Sequence, residues 1–213
     1  MIELIAFLGN YGPEYAGTRH NAAWLFEESL PYSSRFSWSN KYKSDFCSVD
    51  WEQFVAWLPE GTTIPASAAA AAPKKLYFMK PLTYMNLSGE AIGEAARFFK
   101  ILPEDILIVH DEIELQPGMV SLKWAGGLGG HNGLRSAKAT LGTADFWRLR
   151  FGVGKPKDGN VADYVLGQFT PDERIILSQA FAQAEGLFAR LLTSRDPQRL
   201  IPEWGKKNCK AES

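Results

Sequence analysis

The run DILIVHDEIEL, residues 105–115, constrains the fold more than any other stretch of the chain. Its apolar residues are continuous rather than alternating, so both faces of the strand it predicts must be covered. It then leads into an acidic loop, and His110 and Asp111 stand at that junction. Residues 2–8 (IELIAFL) have the same character and predict a buried first strand. Further strands are expected at 76–79 (LYFM), 119–124 (MVSLKW) and 147–153 (WRLRFGV), the last alternating as a strand with two different faces does.

Helical spacing recurs between these strands. Residues 21–30 place Trp24, Leu25 and Glu28 at helical intervals ahead of Pro31. Residues 89–100 set Ala91, Ile92, Ala95, Phe98 and Phe99 on one apolar face. A Gly-rich run opens a helix near 131–141. Thr170-Pro171-Asp172-Glu173 has the form of a capping box with Pro at the first helical position, and starts a long helix to about Leu192. Helices interleaved with strands predict the α/β class: a three-layer α/β/α domain on a twisted, mostly parallel, mixed sheet. Residues 45–58 (DFCSVDWEQFVAWL) read as two strands joined by a tight turn near Asp50. Residues 59–75 (PEGTTIPASAAAAAPKK) offer nothing bulky to a core and read as a mobile surface insertion. No repeat or linker stands out. Residues 1–193 are expected to form one domain, with 194–213 as a C-terminal tail.

Composition excludes several classes. A net charge of −1 gives no sign of a polyanion partner, so any such site must be a local patch. Cys47 and Cys209 are far apart, form no metal or redox motif, and fit a reducing compartment. The start MIELIAFLGN is too short in apolar length and too acidic for a secretory signal. No run approaches the roughly 20 apolar residues that span a bilayer. A cytoplasmic protein with no membrane partner is expected.

In open α/β sheets, ligands bind outside the carboxyl ends of the strands. Four loops here leave strand ends and carry unusual polar residues. The first, FLGNYGPEYAGTRHN, holds Asn10, Tyr15 and His20, one of three histidines in the chain. The second holds Tyr84, Met85 and Asn86, the third His110 and Asp111, and the fourth runs from Gly126 through His131 to Asn132. A neutral imidazole can take a proton from water near neutral pH, and a carboxylate on its other nitrogen would fix the tautomer. Asn amides supply donors for a developing oxyanion. This is a kit for hydrolysing an acyl bond with water as the nucleophile. Each member also has a plain structural use: His20 at a helix start, Asn10 in a turn, Asn86 as a helix cap, GGLGGHNG as a tight helix entry. His20, His110 and His131 match no common zinc spacing.

Six segments carry a more specific signal: GNYGPEYAGTRHN, KPLTYMNLSGEAI, ILIVHDEIELQPG, GGLGGHNGLRS, FWRLRFGVGKP and VADYVLGQF. With them, in this order, the chain resembles the bacterial-type peptidyl-tRNA hydrolases from residue 4 to about 193. The resemblance implies hydrolysis of the ester that joins a peptide to the 3′ end of tRNA. It implies His20 as the catalytic base and Asp111 as the carboxylate that orients it. Asn10, Asn86 and Asn132 would hold the terminal adenosine and peptide and help place the water. Tyr15, Met85 and His131 would line the same crevice, and Lys123 and Arg150 would grip the tRNA 5′ phosphate. It further implies a monomer that uses no metal or cofactor. The chain departs from the family pattern at Phe7, Tyr11, Ser121 and Leu128. Two rivals are a non-hydrolytic RNA-binding relative and a peptidase, which would need a Cys or Ser nucleophile beside a His.

Overall fold

The computed structural model describes residues 1–156 and 158–209. Its strands are β1 (Leu4–Phe7), β2 (Ser39–Lys41), β3 (Ser44–Asp50), β4 (Lys75–Pro81), β5 (Ile106–Glu112), β6 (Met119–Trp124), β7 (Trp147–Gly152) and β8 (Lys207–Asn208). Its helices are α1 (Ala22–Ser29), α2 (Trp51–Val55), α3 (Ala66–Ala69), α4 (Ser88–Phe99), α5 (Asn132–Leu141), α6 (Val161–Val165), α7 (Pro171–Leu192) and α8 (Ile201–Trp204). All eight strands join one sheet in the order β2-β3-β4-β1-β5-β7-β6-β8. The expected mixed sheet is present. Its parallel part is central, β4-β1-β5-β7, and antiparallel pairs flank it on both sides.

Successive residues of a strand point to opposite faces, and the two faces of this sheet build separate cores. On one side Ile5, Phe7, Leu107, Val109 and Phe151 pack under α1 and α7. There Phe26 meets Phe188 edge-on at 5.4 Å between ring centres. On the other side Leu4, Ala6, Ile106 and Ile108 pack under Ala91, Ile92 and Ala95 of α4 and Leu134 and Ala137 of α5. Each fully buried side chain of this size contributes about 1.5–3 kcal/mol. Helices α4 and α5 approach closely because Gly89 has no side chain; a Cβ there would collide with the Ser136 carbonyl.

Residues 45–58 are not two strands. After β3 the chain turns into α2, which buries Trp51 and Phe54. Trp51, Phe54 and Leu58 recur at helical spacing, and this period, not the β-formers among them, decides the local structure. The edge strand β2 (SNK) is polar and exposed throughout, so it carries no apolar pattern to announce it. On α4 the face Ala91-Ile92-Ala95 is buried as expected, but Phe98 is 67% exposed. Within 59–75 the alanine run includes the short helix α3; Ala68 is buried, and Ile64 and Ala72 pack against the core. The capping box of α7 is complete: Glu173 N donates to Thr170 Oγ1 (3.2 Å) and Thr170 N donates to Glu173 Oε2 (2.8 Å). Toward the C-terminus, Trp204 and Cys209 are buried in the first of the two cores. The last four residues of the expected tail, 210–213, lie outside the described residues.

Candidate active site

The parallel strands β1 and β5 deliver their carboxyl ends to the same edge of the sheet, with Phe7 opposite Val109. The loop after β1 leaves that edge and is folded back on itself by an asparagine pair. Asn10 N donates to Asn21 Oδ1 (2.8 Å), and Asn21 Nδ2 donates to the Asn10 carbonyl (3.0 Å). This closure sets His20 beside β5. From the other side Arg19 anchors the same turn: its guanidinium donates to the carbonyls of Tyr164 and Gln168 and to both oxygens of Glu173. Neither Asn21 nor Arg19 stood out in the sequence. Both lie within TRHN, next to the histidine that drew attention, and their partners are distant backbone and carboxyl groups.

His20 Nδ1 donates to Asp111, 2.9 Å from Oδ1 and 3.0 Å from Oδ2. With the proton on Nδ1, the lone pair is on Nε2. His131 Nε2 donates to the same Oδ1 at 3.0 Å. Its Nδ1 accepts from the backbone N–H groups of Gly133 and Leu134, so His131 also caps α5. Asp111 thus sits between two imidazoles, and it is 1% exposed. Burial works to raise its pKa, but the charges and hydrogen bonds of His20 and His131 outweigh burial and hold the carboxyl well below its usual range. Burial is also the largest influence on His20 and lowers its pKa. The Asp111 charge and hydrogen bond together exceed it, so the net shift is upward. His110 is fully buried, donates from Nδ1 to the Asp111 carbonyl (2.5 Å), and is driven far toward the neutral form by burial and by the neighbouring His131.

Asn10 Oδ1 accepts from Met85 N (2.8 Å), which leaves its Nδ2 hydrogens as the free donors. Asn10, His20, Asp111 and His131 border a cavity of about 620 Å³. Met85, Asn86 and Asn132 line it as well. Tyr15 is set back, with its ring edge-on to that of Tyr84, a lining residue, at 6.3 Å. The far wall is α6 with Val161, Val165 and Leu166, a wall that the sequence motifs did not mark as such. Its signal was an apolar face on a short helix capped by Asn160, whose Oδ1 accepts from Ala162 N.

Lys123 and Arg150 lie outside the cavity, on β6 and β7. Arg150 donates to Glu112 Oε2 (3.2 Å) and Ser121 Oγ (2.6 Å). Lys123 Nζ lies 3.5 Å from the Gly127 carbonyl, and burial, then Arg148 and Arg150, depress its pKa. Arg148 has another use. It is 1% exposed and donates to the carbonyls of Ala125, Gly126 and Gly127. It is the peg around which the Gly-rich loop turns, and Gly126, Gly129 and Gly130 take the positive φ values that this path requires (82°, 60° and 78°).

Among the described residues, ligand atoms of His20, Asp111 and His131 come within 4.8 Å of one another, a grouping able to surround a metal ion. The imidazole nitrogens that face Asp111 already donate to it. His110, the third histidine of the zinc grouping weighed from sequence, is turned to a backbone carbonyl instead.

The peptidyl-tRNA hydrolase family model matches residues 4–211. The chain is 42% identical over 210 residues to the peptidyl-tRNA hydrolase of Treponema pallidum, covering 97% of this chain and 96% of that protein. It is 46% identical over 193 residues to the peptidyl-tRNA hydrolase of Halorhodospira halophila, covering 89% of each. In three dimensions it is similar to the crystal structure of peptidyl-tRNA hydrolase from Acinetobacter baumannii, with a TM-score of 0.74 at 33% identity, over 95% of this chain and 91% of that one.

Proposed function

The chain belongs to the peptidyl-tRNA hydrolase family, and from that premise we infer how its own residues cleave peptidyl-tRNA into peptide and free tRNA. The enzyme hydrolyses the ester between the two. The observation that carries the residue roles is the His20–Asp111 pair at the wall of the 620 Å³ cavity. Asp111 holds the imidazole with Nε2 unprotonated. Nε2 takes a proton from a water, and the water oxygen attacks the ester carbonyl. Asn10 Nδ2, aimed by the bond from Met85 N to Oδ1, donates to the oxyanion that forms. The imidazolium, stabilised by Asp111, then returns the proton to the departing ribose oxygen, and the ester C–O bond breaks. A positioned base is worth roughly 10²–10⁴ in rate, and one oxyanion donor about 10²–10³. An ester needs no more than this.

Asn86 and Asn132 hold the terminal adenosine and the peptide, with Met85 and His131 beside them and Tyr15 behind Tyr84. The tRNA backbone meets the basic face that carries Lys123 and Arg150. Among the described residues no helix is long and apolar enough to cross a membrane. Action on peptidyl-tRNA fits a cytoplasmic enzyme, and a monomer is the oligomeric state proposed for it. A thiol peptidase is disfavoured, because Cys47 and Cys209 are both buried and neither lines the cavity. Burial further raises the pKa of both thiols. A non-hydrolytic RNA binder is disfavoured by the intact His20–Asp111 pair. The deciding experiment is release of tRNA from peptidyl-tRNA with a chelator present, comparing the unsubstituted enzyme with His20→Ala. Turnover should fall by roughly 10²–10⁴; unchanged turnover would remove His20 as the base.

A further inference from the structure

The sheet register aligns a polar row on the face that also carries α4 and α5. His110 of β5 is opposite Arg150 of β7, and Arg150 is opposite Ser121 of β6. Strand β6 then pairs antiparallel with β8, Val120 opposite Lys207 and Met119 opposite Asn208. Just before β8, Ser121 Oγ donates to the Gly205 carbonyl, so Lys206 follows a residue held against β6. Directly opposed residues share a face. His110, Arg150 and Ser121 therefore share the face of α4 and α5, and Lys206 lies beyond Ser121 at the edge that β8 closes.

Most cations near this row are already engaged. Arg148 is buried beneath the carbonyls of the Gly-rich loop. Arg150 is ion-paired to Glu112, with 11% of its side chain exposed. Lys207 belongs to the opposite face, where it pairs with Glu203 and lies 4.1 Å from the centre of the Trp204 ring. Among the described residues near this row, two ammonium groups remain without an ion pair. Lys123 is half-buried, and Lys206 is exposed with no ion pair among the described residues. They are close enough for Lys206 to disfavour the charge on Lys123. Packing holds the segment that carries Lys206 in place: Ser121 Oγ donates to the Gly205 carbonyl, Cys209 N donates to the Gly118 carbonyl (2.8 Å), and Trp204 is buried. Like charges held near one another are a cost that a bound polyanion lowers.

We propose that Lys206, presented by the short link between α8 and β8, is a second phosphate-binding residue of the tRNA surface and works with Lys123. The partner is the phosphate backbone of the substrate's acceptor end. The proposal rests on the reading that the Lys123 face meets that backbone. The test is the salt dependence of kcat/KM on peptidyl-tRNA for the unsubstituted enzyme, Lys206→Gln, Lys206→Arg, Lys123→Gln and Lys207→Gln, with a peptidyl-adenosine ester as a substrate lacking the tRNA body. Lys206→Gln should raise KM several-fold at low salt and leave kcat unchanged. It should lower the magnitude of the log–log salt slope by about 1. Lys206→Arg and Lys207→Gln should keep the slope, and cleavage of peptidyl-adenosine should not change in the Lys206 and Lys207 variants. A normal slope in Lys206→Gln beside a reduced slope in Lys123→Gln overturns the role of Lys206 alone. Normal slopes in both overturn the phosphate face itself. Slower cleavage of peptidyl-adenosine by Lys206→Gln would mark an effect on the catalytic site, and overturns the proposal too.

Discussion

At the scale of single residues, Asp111 does the most. It accepts hydrogen bonds from His20 and His131, and its backbone carbonyl accepts from His110. Since its charge raises the His20 pKa, the acid limb of kcat/KM should lie above the ordinary imidazole value of about 6.5. Asp111→Asn removes that charge. Turnover should drop by roughly 10²–10⁴, and the residual activity should lose its acid limb at a lower pH than the unsubstituted enzyme. A pH–rate profile from pH about 5 to 8 reads the shift; an unmoved limb would mean that another group titrates. His20, Asp111 and Asn10 could be singled out in the sequence because they stand at successive strand ends together, although each alone has a plain structural use. Asn21, Arg19 and Arg148 could not. Each acts on backbone carbonyls or carboxylates that only the folded chain brings near, Arg19 reaching as far as Glu173.

At the scale of elements, α5 links the core to the site. His131 caps its first turn and holds Asp111, and Gly89 lets α4 lie directly against it. Gly89 N also donates to Ser136 Oγ (2.9 Å). Gly89→Ala forces the helices apart and should lower stability by about 1–3 kcal/mol, measured by thermal or urea unfolding. A loss within about 0.5 kcal/mol would mean that the helix pair yields more readily than its packing implies. Elements with a complete local signal were readable. The capping box of α7 is four consecutive residues that satisfy each other. Strand β2 and α2 were not: one has no apolar residue to pattern, and the other packs strand-forming aromatics at helical spacing. Strand β8 is two residues long, too short for a pattern of its own, and pairs with β6 just after the buried Trp204.

At the scale of the whole molecule, strand order makes the site. Strand β1 lies between β4 and β5, so loops that start at residues 8, 82 and 113 converge on one crevice at their carboxyl ends. The α/β class and the mixed sheet could be inferred from apolar strands interleaved with helical spacing. The order of the eight strands and the antiparallel placement of β6 could not, because pairing partners far apart in the chain leave no local trace. The same holds for charge: a net charge of −1 conceals the grouping of Lys123, Arg148 and Arg150, which forms only once β6 and β7 lie side by side. The central claim is that His20 and Asp111 act as one unit on a water molecule. A double-mutant cycle on single-turnover hydrolysis of peptidyl-tRNA tests it most directly, with His20→Ala, Asp111→Asn and both together. The account predicts that the double variant is about as slow as His20→Ala alone, since an orienting carboxylate has nothing left to orient. Losses that multiply would show the two residues acting independently and contradict it.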